Sequence, residues 1–319
     1  MVWYAKRMLS GVLVALVVMM VLPATGFAAG QTYWAVVNSD GSLARGTPGV
    51  QSARTADGIY YVHFAKSISH CARIASAGSS GGVRTLPPVF VNLAVDSTDP
   101  KAVYVAVMDN TNVGVNTAGF HLQVWCNPKD LWVTTRPKGS VVNHGGASAS
   151  VERVAQGRFQ VLFGRPVNKC GYQASVSSSN FTVFGSVLPE VNSVAGNHRK
   201  VLVTLRTAAG DYSDVPFHII VTCGQTRIWA VLPSPVTSGI PRGGHLLQAG
   251  TVMTGITSAQ FDVPINQCSW VATVGRFNTS VAPQGLISTT LIADSVVGVE
   301  TDDVFGNPVD RGAHLSVVC

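Results

Sequence analysis

Apolar and polar positions alternate along most of this chain with a period of two. IYYVHF, FQVLF, FVNLAV and VYVAV either alternate or form short, wholly apolar runs. Successive side chains of a strand point to opposite faces, so such segments read as strands with one or both faces covered. Turn signals interrupt them at short intervals: Ser39-Asp40-Gly41, Ala56-Asp57-Gly58, Gly78 to Gly82 and Pro87-Pro88. Beyond the N-terminus no segment holds a capped pattern of period 3.6. The spacing predicts about seven short strands per ninety residues, which is an antiparallel β-sandwich or a small barrel.

The alternating pattern occurs three times. Tryptophan opens each copy, in YWAVVN, LWVTTR and IWAVLP, and Trp34, Trp132 and Trp229 lie 98 and 97 residues apart. A mid-copy cysteine follows, and Cys71, Cys170 and Cys268 are 99 and 98 apart. A Val-rich strand comes next (AVYVAVMD, KVLVTLRT, VVGVETDD), and FHLQVWC, FHIIVTC and AHLSVVC close the copies. Fixed order at fixed period marks an internal repeat. The expected organisation is a signal peptide over 1–29 and β modules over 30–126, 127–223 and 224–319. The connectors 127–131 and 224–228 are too short to let modules swing freely. A ring and a rod both remain open.

Read as a strand, FHLQVWC sorts its side chains in two. Phe120, Leu122, Val124 and Cys126 face a core; His121, Gln123 and Trp125 face away. The pattern predicts one disulfide within each module, Cys71–Cys126, Cys170–Cys223 and Cys268–Cys319. A cyclic alternative joins Cys126–Cys170, Cys223–Cys268 and Cys71–Cys319. An in-module bridge closes a loop worth roughly 4 kcal/mol in the chain-entropy model.

The N-terminus adds a compartment. Lys6 and Arg7 precede an apolar run from Val12 to Leu22, then Pro23 and small residues up to Gly30. This is the form of a secretory signal peptide, with cleavage expected near Ala28 or Ala29. Contact with a membrane is expected only through that segment before cleavage. An even number of cysteines in an exported chain predicts oxidation. The formal charge of +6 falls to +4 without Lys6 and Arg7, and no basic run is present, so nucleic acid is not an expected partner. Only three glutamates occur, helix formers such as Glu, Lys and Leu are scarce and β-branched residues abound, which again favours strands.

Candidate chemistry is sparse. His121, His218 and His314 recur on the face away from the core, which also carries Trp125, Ile220 and Val318 and is therefore expected to be partly buried, with the adjacent unit as a candidate cover. Were the modules to pack about a pseudo-threefold axis, three neutral imidazoles would offer a zinc site with an open fourth position. Duplication also copies structural histidines, each bonded within its own module. Trp125, Trp270 and Tyr172 are candidate binding rings, able to stack on a sugar or enter a partner's pocket if exposed. Tyr172 matches Trp270 in the aligned CGYQAS and CSWVAT, where Arg73 stands in copy one. GSSGG fits G-x-S-x-G around Ser80 but lies in a Gly/Ser loop and reads as a turn. Glu300, Asp302, Asp303 and Asp294 form an acidic patch confined to copy three, compatible with a carboxylate hydrolase, with calcium or with a solvated strand end. No metalloprotease, phosphate-loop, dithiol or dinucleotide motif is present, and no cofactor is expected.

The succession WAVVN, GIYYVHF, CARIASAG, VYVAV and FHLQVWC resembles a module of secreted bacterial proteins, of actinobacterial type, over essentially the whole chain after the signal. Copy three departs most, with Pro264 where Phe64 stands and Ala313 in place of the aromatic. The resemblance implies export and repeat architecture. The expected function is that of a secreted, non-catalytic protein adhering to a cell-envelope, glycan or protein partner. The alternatives are an extracellular hydrolase using the carboxylates of module three and a metal-binding pseudo-trimer.

Overall fold

The computed structural model describes residues 32–81, 89–109, 113–115, 118–178, 187–234, 241–276 and 284–319. The expected signal peptide, Gly82 and Pro87-Pro88 lie outside them. Among the described residues the fold is all-β: there is no α-helix, one 3-10 turn at Pro137–Gly139, and 24 strands, eight per unit. The eighth is a short strand after the tryptophan strand that the period-two pattern is too brief to reveal.

In unit one the strands are β1 (Thr32–Val37), β2 (Leu43–Gly46), β3 (Gln51–Ala56), β4 (Ile59–His63), β5 (Ala72–Gly78), β6 (Phe90–Val95), β7 (Ala102–Met108) and β8 (Phe120–Trp125). Unit two repeats them as β9 (Leu131–Thr135), β10 (Val141–Gly145), β11 (Ser150–Ala155), β12 (Arg158–Leu162), β13 (Gly171–Ser178), β14 (Val187–Ser193), β15 (Lys200–Thr207) and β16 (Phe217–Thr222). Unit three has β17 (Ile228–Leu232), β18 (Arg242–Gly244), β19 (Leu246–Met253), β20 (Ile256–Phe261), β21 (Ser269–Arg276), β22 (Leu286–Ala293), β23 (Val296–Asp302) and β24 (Ala313–Val318).

Each unit divides into two four-stranded halves that face one core. In unit one the halves are β2-β1-β8-β5 and β6-β7-β4-β3, and Phe120, Leu122 and Val124 from the first meet Tyr60, Val62 and Val105 from the second. Units two and three have their own cores in the same places. Burying one such aliphatic side chain contributes about 1.5–3 kcal/mol. The core faces expected of FHLQVWC, FHIIVTC and AHLSVVC are therefore the ones observed.

The halves do not end at the unit boundary. Parallel pairing of β5 with β22, of β13 with β6 and of β21 with β14 joins them into three eight-stranded sheets, each shared by two units. Unit one continues into unit three, unit two into unit one, and unit three into unit two. The arrangement is a closed ring with pseudo-threefold character, not a rod. Only two residues pair at each parallel seam, for example Ser177 with Leu93 and Ser178 with Ala94.

Two apolar clusters each join residues of all three units. One joins Ala72, Ile74 and Trp125 of unit one, Trp132 and Ile220 of unit two, and Val271 of unit three. The other joins Phe90, Leu188 and Leu286, one from each unit. Beside the first, Gln123 Nε2 donates to the carbonyls of Ser269 and Ser316, so a polar side chain is buried with its bonds made.

Turn chemistry repeats with the strands. Gly58, Gly157 and Gly255 close the β3–β4, β11–β12 and β19–β20 hairpins at φ of 65°, 61° and 76°. A Cβ on any of them would strike the carbonyl of Val107, Leu205 or Thr301, whose own N–H bonds back to that glycine's carbonyl at 2.7 Å. The repeat register also corrects one alignment. Phe64, Phe163 and Phe261 donate their N–H groups to Lys101, Arg199 and Ser295, so Phe261, not Pro264, is the counterpart of Phe64. Ala313 does mark a change. The edge-to-face pair Tyr60–Phe120 and the pair Phe159–Phe217 have no third member, because Thr257 and Ala313 stand there together.

The three disulfides are those of the in-unit pairing, and none of the six cysteines is free. Each links the residue before one inner strand (β5, β13 or β21) to the residue after its antiparallel partner, as Cys71 to Cys126 brackets β5 and β8. The Cys71→Ser/Cys126→Ser double variant is expected to lose about 4 kcal/mol of stability in denaturant unfolding. A loss below about 1 kcal/mol would show that ring packing alone holds that register.

Candidate functional site

The inner strands β5, β13 and β21 each have a partner strand on one side only for most of their length. Their other edge would leave main-chain N–H groups buried and unpaired, at about 1–3 kcal/mol each. The neighbouring unit supplies the acceptors. Arg73 N–H donates to His218 Nδ1 at 2.8 Å, Tyr172 N–H to His314 Nδ1 at 3.1 Å, and Trp270 N–H to His121 Nδ1 at 3.1 Å. Two residues on, Ala75, Ala174 and Ala272 donate to Ser175 Oγ, Thr273 Oγ1 and Ser76 Oγ at 2.9, 3.0 and 3.2 Å. Every unit gives two N–H groups to one neighbour and accepts two from the other.

This arrangement decides the fate of the histidines. Their Nδ1 atoms bond across units and do not converge on a shared site, and His121 in addition donates Nε2 to the Ser79 carbonyl of its own unit at 3.2 Å. Among the described residues no group of three His, Cys, Asp or Glu side chains is placed to hold a metal ion. Each Nδ1 already accepts a hydrogen bond, so the neutral ring carries its proton on Nε2. Burial holds His121 and His314 down at about 3 and His218 well below the ordinary imidazole value.

The candidate binding rings are also interior. Trp125, Trp270 and Tyr172 are 2%, 0% and 0% exposed, so none presents a face to a sugar or a partner. Trp270 lies 4.5 Å from the His121 ring and Tyr172 4.9 Å from that of His314, centroid to centroid. They pave the junctions on which the histidines close. Sequence alternation placed Trp125 away from its own core, and the apolar Trp125, Ile220 and Val318 on that face pointed to burial against an adjacent unit, where the structure puts them; Tyr172 and Trp270 lie in the cores of their own units.

The remaining candidates stand apart. Ser80 donates its hydroxyl to Asn38 Oδ1 at 2.7 Å, a loop contact with no base beside it. Asp303 caps its own turn, accepting from Phe305 N–H and from the Asn307 N–H and side-chain amide. Asp294 accepts from the Asn266 amide. Asp302 is buried, and burial followed by the charges of Glu300 and Asp303 pushes it up to about 6. Glu300 lines a cavity of about 240 Å³ with Val252, Ile256 and Ile292, and Asp302 is not among its walls.

Comparing the three junctions reveals the site that sequence reasoning missed. Arg45 lies over the Trp270 ring at 4.8 Å and donates Nε to the Cys268 carbonyl and an Nη to that of Ser80. Arg242 holds the same register position in unit three and donates to the Asn168 carbonyl beside Tyr172. Each of these two junctions combines a buried ring with an arginine of the neighbouring unit, Trp270 with Arg45 and Tyr172 with Arg242. At the junction of units one and two the pieces are exchanged. Arg73 stands where the ring should be, and Asn143 stands where the covering arginine should be. Arg73 Nη2 donates to the Ile68 carbonyl at 2.6 Å, just as Tyr172 Oη donates to that of Val167 at 2.8 Å.

A third difference falls at the same place. Gly78 and Gly275 let the histidine of their own unit pack close, since a Cβ would lie 2.5 Å from His121 Cδ2 or 2.7 Å from His314 Cδ2. Unit two has Ser177 there. The outcome is a cavity of about 370 Å³ whose walls include Arg73, Arg136, Asn143, Ser177 and His218 on the polar side and Val95, Pro137, Val142 and Pro216 on the apolar side. Arg73 is 2% exposed, and its Nε has no hydrogen-bond partner. Burial lowers its guanidinium to about 10, so it stays charged at neutral pH, and the cavity walls contain no carboxylate. Comparison with protein-family models, with curated proteins and with solved structures gives no match to the chain.

The histidine seams make stability depend on pH. The unfolded chain takes up protons on histidine below about 6.5, whereas the folded state refuses them down to about 3 at His121. The stabilisation is complete above 6.5 and is lost as pH falls toward 3. His121→Gln, which retains an acceptor, is expected to flatten this dependence by about 1.4 kcal/mol per pH unit between pH 4 and 6. Denaturant unfolding at pH 4, 5, 6 and 7 measures it; parallel wild-type and variant lines would contradict the assignment.

Proposed function

We propose that this chain is an exported, non-catalytic binding protein that takes its extracellular partner, a component of a cell envelope, a glycan or a protein, at the open junction of units one and two. One observation carries the reading. Of three equivalent junctions, two combine a buried ring with an arginine of the neighbouring unit, and the third puts the buried guanidinium of Arg73 in the wall of a cavity of about 370 Å³ that contains no carboxylate. Buried polar groups left unsatisfied in a roomy, partly apolar cleft are a feature of ligand sites. Three disulfides suit an oxidising compartment, and no helix among the described residues is long and apolar enough to cross a membrane. The signal-like N-terminus and the resemblance to modules of secreted bacterial proteins support export. Each described unit is organised as two facing half-sheets, which favours the sandwich over the barrel.

Closure of the ring changes how the triplication is understood. Avidity through three equal sites requires three exposed sites. Here the repeated faces are consumed in building the scaffold, and binding falls to the junction that departs from the repeat.

Purified mature chain is expected to be retained saturably on one fraction of envelope material, and Arg73→Tyr/Asn143→Arg, which rebuilds the filled junction, is expected to lose that retention. Absence of saturable retention on every fraction overturns the proposal.

A further inference from the structure

We infer that the open junction binds a small organic carboxylate with an apolar body, the carboxylate at Arg73 and the body against Val95, Pro137, Val142 and Pro216. This rests on reading that junction as the binding site and adds the chemistry of what enters it.

The polar end is selected by charge. A buried guanidinium without a counter-ion is costly, and an arriving oxyanion relieves it. Arg136 stands in the same wall, and no carboxylate of the protein competes for either cation there. Arg73 Nη2 is held by the Ile68 carbonyl, which fixes the plane of the guanidinium before any ligand arrives. His218 adds direction. Its Nδ1 is taken by the Arg73 N–H, so its Nε2 carries the proton and is a donor on a ring that lines the cavity. The accessible chemistry at this end is donation to an acceptor bearing negative charge.

The rest of the cavity selects the body. Val142, Val95 and two prolines are apolar walls, unsuited to a hydrated polyol or to a bare inorganic anion. A volume near 370 Å³ exceeds what an isolated phosphate needs and matches the small end of ligand pockets. The two filled junctions supply an internal comparison. At each of them an arginine stands at the register position where the shorter Asn143 leaves room here, and the ring's place is taken here by Arg73.

The test is titration calorimetry on the intact mature chain with hexanoate and 3-phenylpropanoate, each beside its methyl ester. Saturable binding of an acid, weaker by about tenfold or more for its ester, is expected from loss of a charge-assisted hydrogen bond. Arg73→Tyr should remove the guanidinium and abolish binding while keeping the fold, seen as an unchanged far-ultraviolet spectrum. The ester comparison needs no variant and stands if Arg73→Tyr fails to fold. A short peptide with a free C-terminus beside its amide separates a chain end from a free acid as the source of the carboxylate. Equal binding of acid and ester, binding that survives in folded Arg73→Tyr, or a response to inorganic phosphate alone overturns the inference. Envelope retention lost in Arg73→Tyr/Asn143→Arg without any acid binding would leave the junction as the binding site and remove only the carboxylate.

Discussion

Everything in this molecule depends on how three strand edges are satisfied. An open edge buried without partners is untenable, and an exposed one invites pairing with other chains. β5, β13 and β21 would each present such an edge in an isolated unit. Side chains of the next unit replace the missing strand: an imidazole nitrogen takes one N–H and a hydroxyl takes the N–H two residues later. Since every unit both gives and accepts, the set is complete only when the third unit meets the first. A pair of units would leave one edge and one histidine unsatisfied. The disulfides serve the same end. By bracketing β5 with β8, and their counterparts likewise, they hold the donating edge and the accepting histidine of one unit in fixed register.

The sequence was informative wherever a property follows from side-chain alternation within one unit. The three cores, the in-unit disulfides and the orientation of His121, His218 and His314 away from those cores are all of this kind. It was less informative wherever a property depends on what covers the second face: Trp125, Ile220 and Val318 pointed to burial there, but not to which groups meet. Alternation says that His121 and Trp125 leave their own core; it cannot separate water from a neighbouring unit. The polar character of that face, with Gln123, Ser76 and Ser175, looks like solvent exposure, and the structure buries all of them. The zinc alternative for the histidines loses its support for the same reason, because the acceptor on each imidazole is committed to a main-chain N–H that no motif records.

Repetition gives the departures their meaning. In a threefold repeat, a residue shared by all copies is explained by the scaffold, and Ser76, Ser175 and Thr273 are examples. A residue that breaks the pattern has no such explanation. Arg73, Asn143 and Ser177 break it at three separate points in the chain, two of them in unit two and one in unit one. They meet around one cavity. Arg73 alone would be an awkward substitution in a core, and Asn143 alone an unremarkable loss of a surface arginine.

Their coincidence also bears on stability. A cavity and an unpaired guanidinium both weaken the junction that holds them. The ring tolerates this because the seam there is retained: Arg73 N–H and Ala75 N–H still reach His218 and Ser175 at the shortest distances of the three junctions. The main-chain seam and the side-chain filling are separable, so one junction can lose its filling while the ring stays closed. A fold that seals its edges through histidine and serine, and not through the bulk of the rings beneath them, can open one interior space without opening the ring.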